Sequence, residues 1–146
     1  MHLTHLRNSS VLRQQQVETL LAHPWLNDSY DAIFLAGDFN AEINSSEIEF
    51  LLGLPTISAR NAYIAGGGSL PGHTMPSRIA DQPEQGRCID FIFSLAHHPD
   101  YHPDITSARV VLETPDAAGN YPSDHCGVLI QIQLPTRDNR NPTSNY

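Results

Sequence analysis

Three short motifs place side chains capable of acid–base and metal chemistry beside apolar runs. In the first, Gly37-Asp38-Phe39-Asn40 comes directly after the apolar run 31–36. Side chains two positions apart on an extended backbone point the same way, so Asp38 and Asn40 can converge on one ligand. A carboxylate beside an amide, which both donates and accepts, suits a water or a phosphate oxygen next to a metal. The structural alternative is an Asx turn after a strand, with Asn40 capping the next segment of the chain.

The second motif puts a carboxylate inside an apolar strand, Ile89-Asp90-Phe91-Ile92-Phe93. Burying an unpaired charge is costly, so Asp90 needs a partner. Two partners fit the sequence: an arginine such as Arg87 in a salt bridge, or an imidazole that the carboxylate orients.

The third motif, Ser123-Asp124-His125, directly precedes the last predicted strand. Adjacent side chains on an extended chain point to opposite sides, so one of Asp124 and His125 could face a metal while the other faces the substrate. His125 titrates near neutral pH and is the best general acid or base candidate. A loop hydrogen bond is the structural alternative. His5 lies in Thr4-His5-Leu6, on a predicted strand, and is a further candidate site residue. The structural alternative for His5 is a hydrogen-bonded histidine without a role in chemistry.

The elements that must position these motifs are predicted from apolar periodicity and from Gly and Pro breaks. The prediction comprises strands at 1–6, 31–36, 89–94, 105–112 and 127–134, and helices from Ser9 or Ser10 to about His23 and from 44–47 to a left-handed cap at Gly53. The second helix is expected to begin with a capping box of Ser46 and Glu49. Segment 55–87 is rich in Gly and Pro and predicts a long loop with short strands near Tyr63 and Thr74. Residues 135–146 are polar and predict a disordered tail.

Composition narrows the function classes. The 146 residues suit one domain, and the formal net charge is −8, with eight Arg, no Lys and sixteen Asp or Glu. Tight binding to duplex nucleic acid normally needs a basic surface, so this balance argues against it. A bound divalent cation would reverse the local sign and allow one phosphate to be held. No apolar run is long enough to predict a membrane span. Cys88 and Cys126 are small buried hydrophobes or a disulfide pair.

The order of the motifs carries more information than any one of them. Thr-His-Leu, then Arg13 and Gln16 on a helix, then the Gly-Asp-Phe-Asn, Ile-Asp-Phe-Ile-Phe and Pro-Ser-Asp-His motifs resemble the endonuclease/exonuclease/phosphatase superfamily. The group includes pancreatic-type deoxyribonucleases, apurinic endonucleases, inositol-phosphate 5-phosphatases and neutral sphingomyelinases. The resemblance runs from about His2 to Leu134.

This resemblance implies an α/β (α+β) fold, namely half of a loop-rich four-layer α/β sandwich with a mixed, mostly antiparallel sheet and helices on one face. Members of the family carry a first half with an Asn and with the Glu that is their main metal ligand. Residues 1–134 would therefore be a domain lacking its N-terminal half. Asn61-Ala62-Tyr63 stands where the family usually has an Asp before an aromatic residue.

The resemblance also implies a role for each motif. Asp38 would activate or protonate an oxygen at the reacting phosphorus, and Asn40 would orient it. Asp90 would hold His125, which would act as a base or as a phosphate-stabilising cation. His5 would assist at the leaving group.

The resemblance implies Mg²⁺ or Mn²⁺ as the cofactor. The metal ligands available in this chain would be Asp38, Asn40 and Asp124, with Asp90 as a further candidate.

The expected function is that of a truncated metal-dependent phosphoester hydrolase, of phosphodiesterase, phosphatase or nuclease type. The alternative is a catalytically incomplete remnant that acts as an interaction or binding module. Candidate substrates are a small phosphoester, a phospholipid head group or a nucleic acid, and segment 55–87 is where substrate choice is expected. The sheet face left open predicts self-association. The compartment stays open between cytoplasm and secretion.

Overall fold

The computed structural model describes Leu3 and residues 9–28, 30–77 and 85–134. Within these ranges the chain forms three α-helices, two 3₁₀ turns and five strands. In chain order they are α1 (Ser10–Leu21), a 3₁₀ turn (Pro24–Asn27), β1 (Ile33–Asp38), α2 (Ser46–Leu52), β2 (Ser58–Asn61), α3 (Ala62–Ala65), β3 (Asp90–Ala96), a second 3₁₀ turn (Pro99–Tyr101), β4 (Asp104–Val111) and β5 (Gly127–Gln133).

The strands form two small antiparallel sheets. One has the order β1-β3-β2, and the other is a β4-β5 pair with a register shift between Ile105 and Ser107. No helix of the described chain is long and apolar enough to cross a membrane. The α+β class and the antiparallel pairing predicted from the sequence are confirmed.

Side chains of the three-stranded sheet alternate between two faces. Leu35 pairs with Phe93 on one face, which packs against α1 and α2 around the buried Val17 and Ile48. Phe39 lies just beyond β1, is fully buried, and meets the ring of Phe93 edge-on at 5.2 Å between centroids. The apolar member of Gly37-Asp38-Phe39-Asn40 is therefore a core anchor, and it fixes where the polar members emerge.

The β4-β5 hairpin packs on the rest of the chain mainly through α3. At the end of α3, a Cβ added to Gly66 would lie 2.8 Å from Ala108 Cβ and 2.9 Å from Ile105 Cγ2, so glycine allows the close approach. The hairpin face turned inward is only half-buried at Val128 and Ile130. Isolated two-stranded sheets are marginal in water, so the hairpin depends on this contact.

A buried ion pair joins α1 to α2. The carboxylate of Glu47 is 1% exposed and pairs with the guanidinium of Arg13, which is 15% exposed. The same carboxylate accepts a hydrogen bond from Ser10 Oγ at 2.7 Å, and Arg13 Nη1 donates to Ser9 Oγ at 2.8 Å. Burial works to raise the pKa of Glu47, but the hydrogen bonds and the Arg13 charge outweigh it, so the pKa lies below its ordinary value.

The two short strands predicted within segment 55–87 have different outcomes. The short strand predicted near Tyr63 is present as β2, which ends at Asn61. Tyr63 itself lies in the short helix α3, because Asn61 Oδ1 accepts hydrogen bonds from the amides of Tyr63 and Ile64 and caps a turn. Thr74 precedes an isolated bridge between Met75 and Arg87 rather than lying in a strand.

The expected start and end of α2 are also wrong. Its N-cap is Ser45 rather than Ser46, so Ser46 and Glu49 do not form the capping box. Gly53 closes the helix with φ at −95°, outside the left-handed region. The predicted strand at 1–6, apart from Leu3, and the tail 135–146 lie outside the described residues.

Candidate active site

Asp38 and Asn40 meet at the end of β1, but through a turn rather than an extended strand. The amide of Asn40 donates to Asp38 Oδ1 at 2.7 Å, and Asn40 Nδ2 donates to Asp38 Oδ2 at 3.1 Å. Asn40 has φ at 48°, a left-handed conformation that Asn tolerates better than most residues. Its Nδ2 also donates to the carbonyl of Leu3 at 2.8 Å. The Asx turn considered from the sequence is thus present, and it is what makes the two side chains converge.

Asp38 and Asp90 are directly opposite each other across β1 and β3. The alternation of the sheet puts both on the face away from α1 and α2. Like charges at one cross-strand position repel, so this arrangement calls for a cation nearby. Arg87 is not that cation, because its Nε pairs with Glu42 Oε1 at 3.3 Å on the surface.

His125 is the partner of Asp90. Its Nδ1 lies 2.9 Å from Asp90 Oδ2, and the two side chains are 26% and 19% exposed. A carboxylate only accepts, so Nδ1 carries the proton and Nε2 is left for other chemistry. Partial burial works to lower the pKa of His125, but the hydrogen bond to Asp90 and the charges of Asp90, Asp38 and Asp124 raise it above its ordinary value. His125 therefore stays protonated to a higher pH than an ordinary histidine.

Two buried residues missed by the sequence reasoning hold this arrangement in place. Thr74 is fully buried, and its Oγ1 accepts the amide of Asp90 at 3.2 Å. Ser77 is 4% exposed, and its Oγ donates to the Ser123 carbonyl at 2.6 Å while its amide donates to the Asp124 carbonyl at 2.8 Å. The available signal was small polar residues inside a loop predicted to be long, which is weak on its own.

The metal-ligating atoms converge at one point. One oxygen from each of Asp38 and Asp90 and one nitrogen of His125 lie within 4.8 Å of one another. Magnesium in proteins is commonly held by one or two carboxylates, with substrate phosphates completing its shell, and this donor set fits it. Asp124 is exposed and lies outside this three-residue group, so the structure does not bring it to the same point as Asp38.

The remaining predicted features have clear places. His5 lies outside the described residues. Cys88 and Cys126 are both free thiols, and burial together with the charges of Asp90 and Glu42 raises the pKa of Cys88 to about 11. Part of segment 55–87 forms a wall of a cleft of about 370 Å³ against β4, and Arg109 lies on the opposite wall.

Comparison with solved structures identifies the fold. No family model and no curated protein matches the chain. An endonuclease/exonuclease/phosphatase from Bacteroides vulgatus matches with a TM-score of 0.72 at 19% identity, over 92% of this chain and 48% of that one. D. rerio TDP2 complexed with single-strand DNA product matches with a TM-score of 0.65 at 21% identity, over 91% and 54%. A functionally unknown conserved protein from Enterococcus faecalis matches at 0.70 and 20%, over 92% and 48%.

The chain spans about half the length of these solved structures while nearly all of it is covered. The endonuclease/exonuclease/phosphatase fold inferred from the order of the motifs is confirmed, as a half-sized version. At these identities the likeness concerns the fold, and any activity has to be argued from the site.

Proposed function

We propose that this chain carries the reaction side of a metal-dependent phosphoester hydrolase. The observation that supports it is the convergence of Asp38, Asp90 and His125, from three separate motifs, to within 4.8 Å on one sheet face. Two carboxylates facing each other with one histidine are a poor choice for stability alone. They suit a site that moves a proton next to a cation and an anionic substrate.

In this proposal His125 is the group that handles charge or a proton at the phosphoryl oxygen. Asp90 fixes its Nδ1 tautomer and favours the imidazolium, so Nε2 presents a proton towards the substrate. The hydrogen bond to Asp90 and the charges of Asp90, Asp38 and Asp124 support this role, because they raise the pKa of His125. Asp38, oriented by two hydrogen bonds from Asn40, accepts the proton of the attacking water.

Asp38 and Asp90 would hold a divalent cation in the same site, with Asn40 close to it. The cation would neutralise charge developing on the phosphoryl group. Mg²⁺ fits this oxygen-rich donor set better than Zn²⁺, and Mn²⁺ is the natural substitute. Asp124 remains a proposed ligand that would need a change in its side-chain orientation.

The substrate class we favour is a small phosphodiester or a single-stranded nucleic-acid end. The net charge of −8 and the absence of Lys disfavour duplex binding. The D. rerio TDP2 structure holds a single-strand DNA product, which supports testing that class first. A phospholipid head group is the third candidate, because the cleft beside β4 has both apolar walls and Arg109.

The test is hydrolysis of bis-nitrophenyl phosphate, a short single-stranded oligonucleotide and a choline phospholipid, each with Mg²⁺ or Mn²⁺. We expect activity that chelation removes and that His125→Ala and Asp38→Ala each lower by at least about 100-fold. His98→Ala is the matched control, because His98 is 58% exposed in a surface loop with Asp100. Activity of the purified chain that survives chelation and His125→Ala would refute the proposal.

The second candidate function is that of an interaction module, and the hairpin is the feature that favours it. β5 has the sequence Gly-Val-Leu-Ile-Gln-Ile-Gln, with no charged residue, and its outer edge pairs with no other strand among the described residues. Natural edge strands are usually protected by charge or proline. Leu129 on its open face is 46% exposed. We propose self-association of this chain through β5.

Sedimentation velocity over a range of protein concentrations tests this second candidate. Leu129→Lys should shift the distribution towards monomer. The matched control is Leu52→Lys, because Leu52 is 39% exposed on α2, away from the hairpin. A wild-type chain that stays monomeric at high concentration would exclude self-association. That result would leave the hydrolase proposal unchanged.

A further inference from the structure

Thr74 is a fully buried polar residue between β3 and the loop that carries His125. A buried polar residue is costly unless it is hydrogen-bonded, and Thr74 uses its backbone and its hydroxyl. Its amide donates to the Arg87 carbonyl at 2.8 Å, its Oγ1 accepts the amides of Ile89 and Asp90 at 3.2 Å each, and its carbonyl accepts the Cys126 amide at 2.6 Å.

The hydroxyl of Thr74 makes a hydrogen bond to β3 where β2 no longer pairs with it. β2 pairs with β3 only from Phe93 to Ala96, so the amide of Asp90 lies beyond the reach of β2. Thr74 Oγ1 takes the hydrogen bond that a neighbouring strand would otherwise supply. The backbone from which the Asp90 carboxylate projects is therefore held by this side chain on one side and by β1 on the other.

The carbonyl of Thr74 holds the backbone next to His125, the hydrogen-bond partner of Asp90. Cys126 immediately follows His125, and its amide is held by Thr74 at 2.6 Å. Asp90 and His125 are 35 positions apart in the chain, yet their side chains are joined at 2.9 Å. One buried residue thus contacts the backbone on both sides of that hydrogen bond.

We propose that Thr74 is a positioning residue, which holds Asp90 and His125 at hydrogen-bonding distance through its hydroxyl and its carbonyl. It acts through the backbone of its neighbours and is not itself a catalytic residue. The expected effect of Thr74 on kcat rests on the proposed hydrolase function. Its effect on the hydrogen bond between Asp90 and His125 does not.

The experiment compares Thr74→Val, which keeps the shape but removes the hydroxyl, with Thr74→Ser, which keeps the hydroxyl. NMR on the full chain labelled with ¹⁵N-histidine follows the Nδ1–H proton of His125, assigned by its loss in His125→Gln. We expect this resonance to lie downfield in the wild type and in Thr74→Ser. In Thr74→Val it should move upfield and exchange faster with water.

Ser94→Ala is the matched control. Ser94 is also fully buried on β3, four residues after Asp90. Its hydroxyl lies 2.9 Å from His102 Nδ1 and makes no contact with the Asp90–His125 pair. Ser94→Ala should cost stability and leave the His125 resonance unchanged. An unchanged resonance in Thr74→Val, or the same shift in Ser94→Ala, would overturn the proposal.

If Thr74→Val does not fold, Thr74→Cys replaces it, since a thiol of similar size is a much weaker acceptor. A smaller shift in the same direction supports the positioning role, and no shift refutes it. In the kinetic arm, kcat should fall roughly 10- to 100-fold in Thr74→Val with KM unchanged and with rescue in Thr74→Ser. A wild type without activity but with the expected NMR pattern would reject the hydrolase proposal and keep the positioning role.

Discussion

Replacing Arg13 by Met tests how much the ion pair between α1 and α2 stabilises the chain. The change keeps most of the apolar stem and removes the guanidinium. It leaves the Glu47 carboxylate, which is 1% exposed, with the hydroxyls of Ser10 and Ser46 at 2.7 and 3.2 Å and a hydrogen bond from its own backbone amide, but with no positive partner from Arg13. An unpaired buried charge is among the costliest defects a fold can carry.

The expected loss is roughly 3–4 kcal/mol in the free energy of unfolding at neutral pH. Breaking a buried pair costs about 3–5 kcal/mol, and the two remaining hydroxyl donors place this case in the lower half of that range. A domain of this kind has a total of about 5–15 kcal/mol. The loss corresponds to a fall of roughly 6–16 °C in Tm.

Urea unfolding followed by circular dichroism measures this loss at several pH values. The pKa of Glu47 is lowered in the folded wild type, so its contribution is present above its unfolded pKa and is lost as pH falls through the folded value. Without Arg13, its hydrogen bond and its charge no longer lower the pKa of Glu47, so the folded pKa should rise. The gap between Arg13→Met and the wild type should therefore be widest at neutral pH and narrow below roughly pH 4.

Arg109→Met is the control, because Arg109 is exposed on β4 and has no ion pair among the residues described. It should change the free energy of unfolding by less than about 0.5 kcal/mol. A loss below about 1 kcal/mol for Arg13→Met would mean that the pair behaves like a surface salt bridge. A gap that does not narrow in acid would reject the assignment of the effect to Glu47.

Three further changes test the site and the hairpin. Asp90→Asn removes the nearest negative charge from His125, so the pKa of His125 should fall in an NMR titration and the corresponding limb of the pH–rate profile should move to lower pH. Asn40→Ala should cost about 1–2 kcal/mol through its left-handed backbone, whereas Asn40→Gly should cost less, as measured by urea unfolding. Gly66→Ala should push the hairpin away from α3, because its Cβ would lie 2.8 Å from Ala108 Cβ, and it should lower stability by about 1–3 kcal/mol in the same assay.

The sequence was most informative where polar residues interrupt apolar runs. A carboxylate within an apolar strand predicted that Asp90 has a close partner, and the ordered motifs predicted the fold. The pairing of Asp90 with His125 rather than with Arg87 was left open, because which residue approaches across 35 positions depends on tertiary packing. Thr74 could not be recognised, since its role comes from contacts with two segments distant in sequence.

Local signals failed where capping chemistry was ambiguous. The strand predicted near Tyr63 exists as β2, but it stops at Asn61, which caps a helical turn and places Tyr63 in α3. Ser45 and Ser46 are both acceptable N-caps in the sequence, and the structure has Ser45 as the cap and Ser46 as the first helical residue.

The facing pair of Asp38 and Asp90 is a point of energetic frustration. The strands pair in a register that the apolar residues favour and that these two charges oppose. Such a conflict makes folding stability responsive to the solution: a divalent cation that binds only the folded chain should raise Tm with its concentration. Conversely, Asp38→Asn removes one of the two facing charges and should abolish that response.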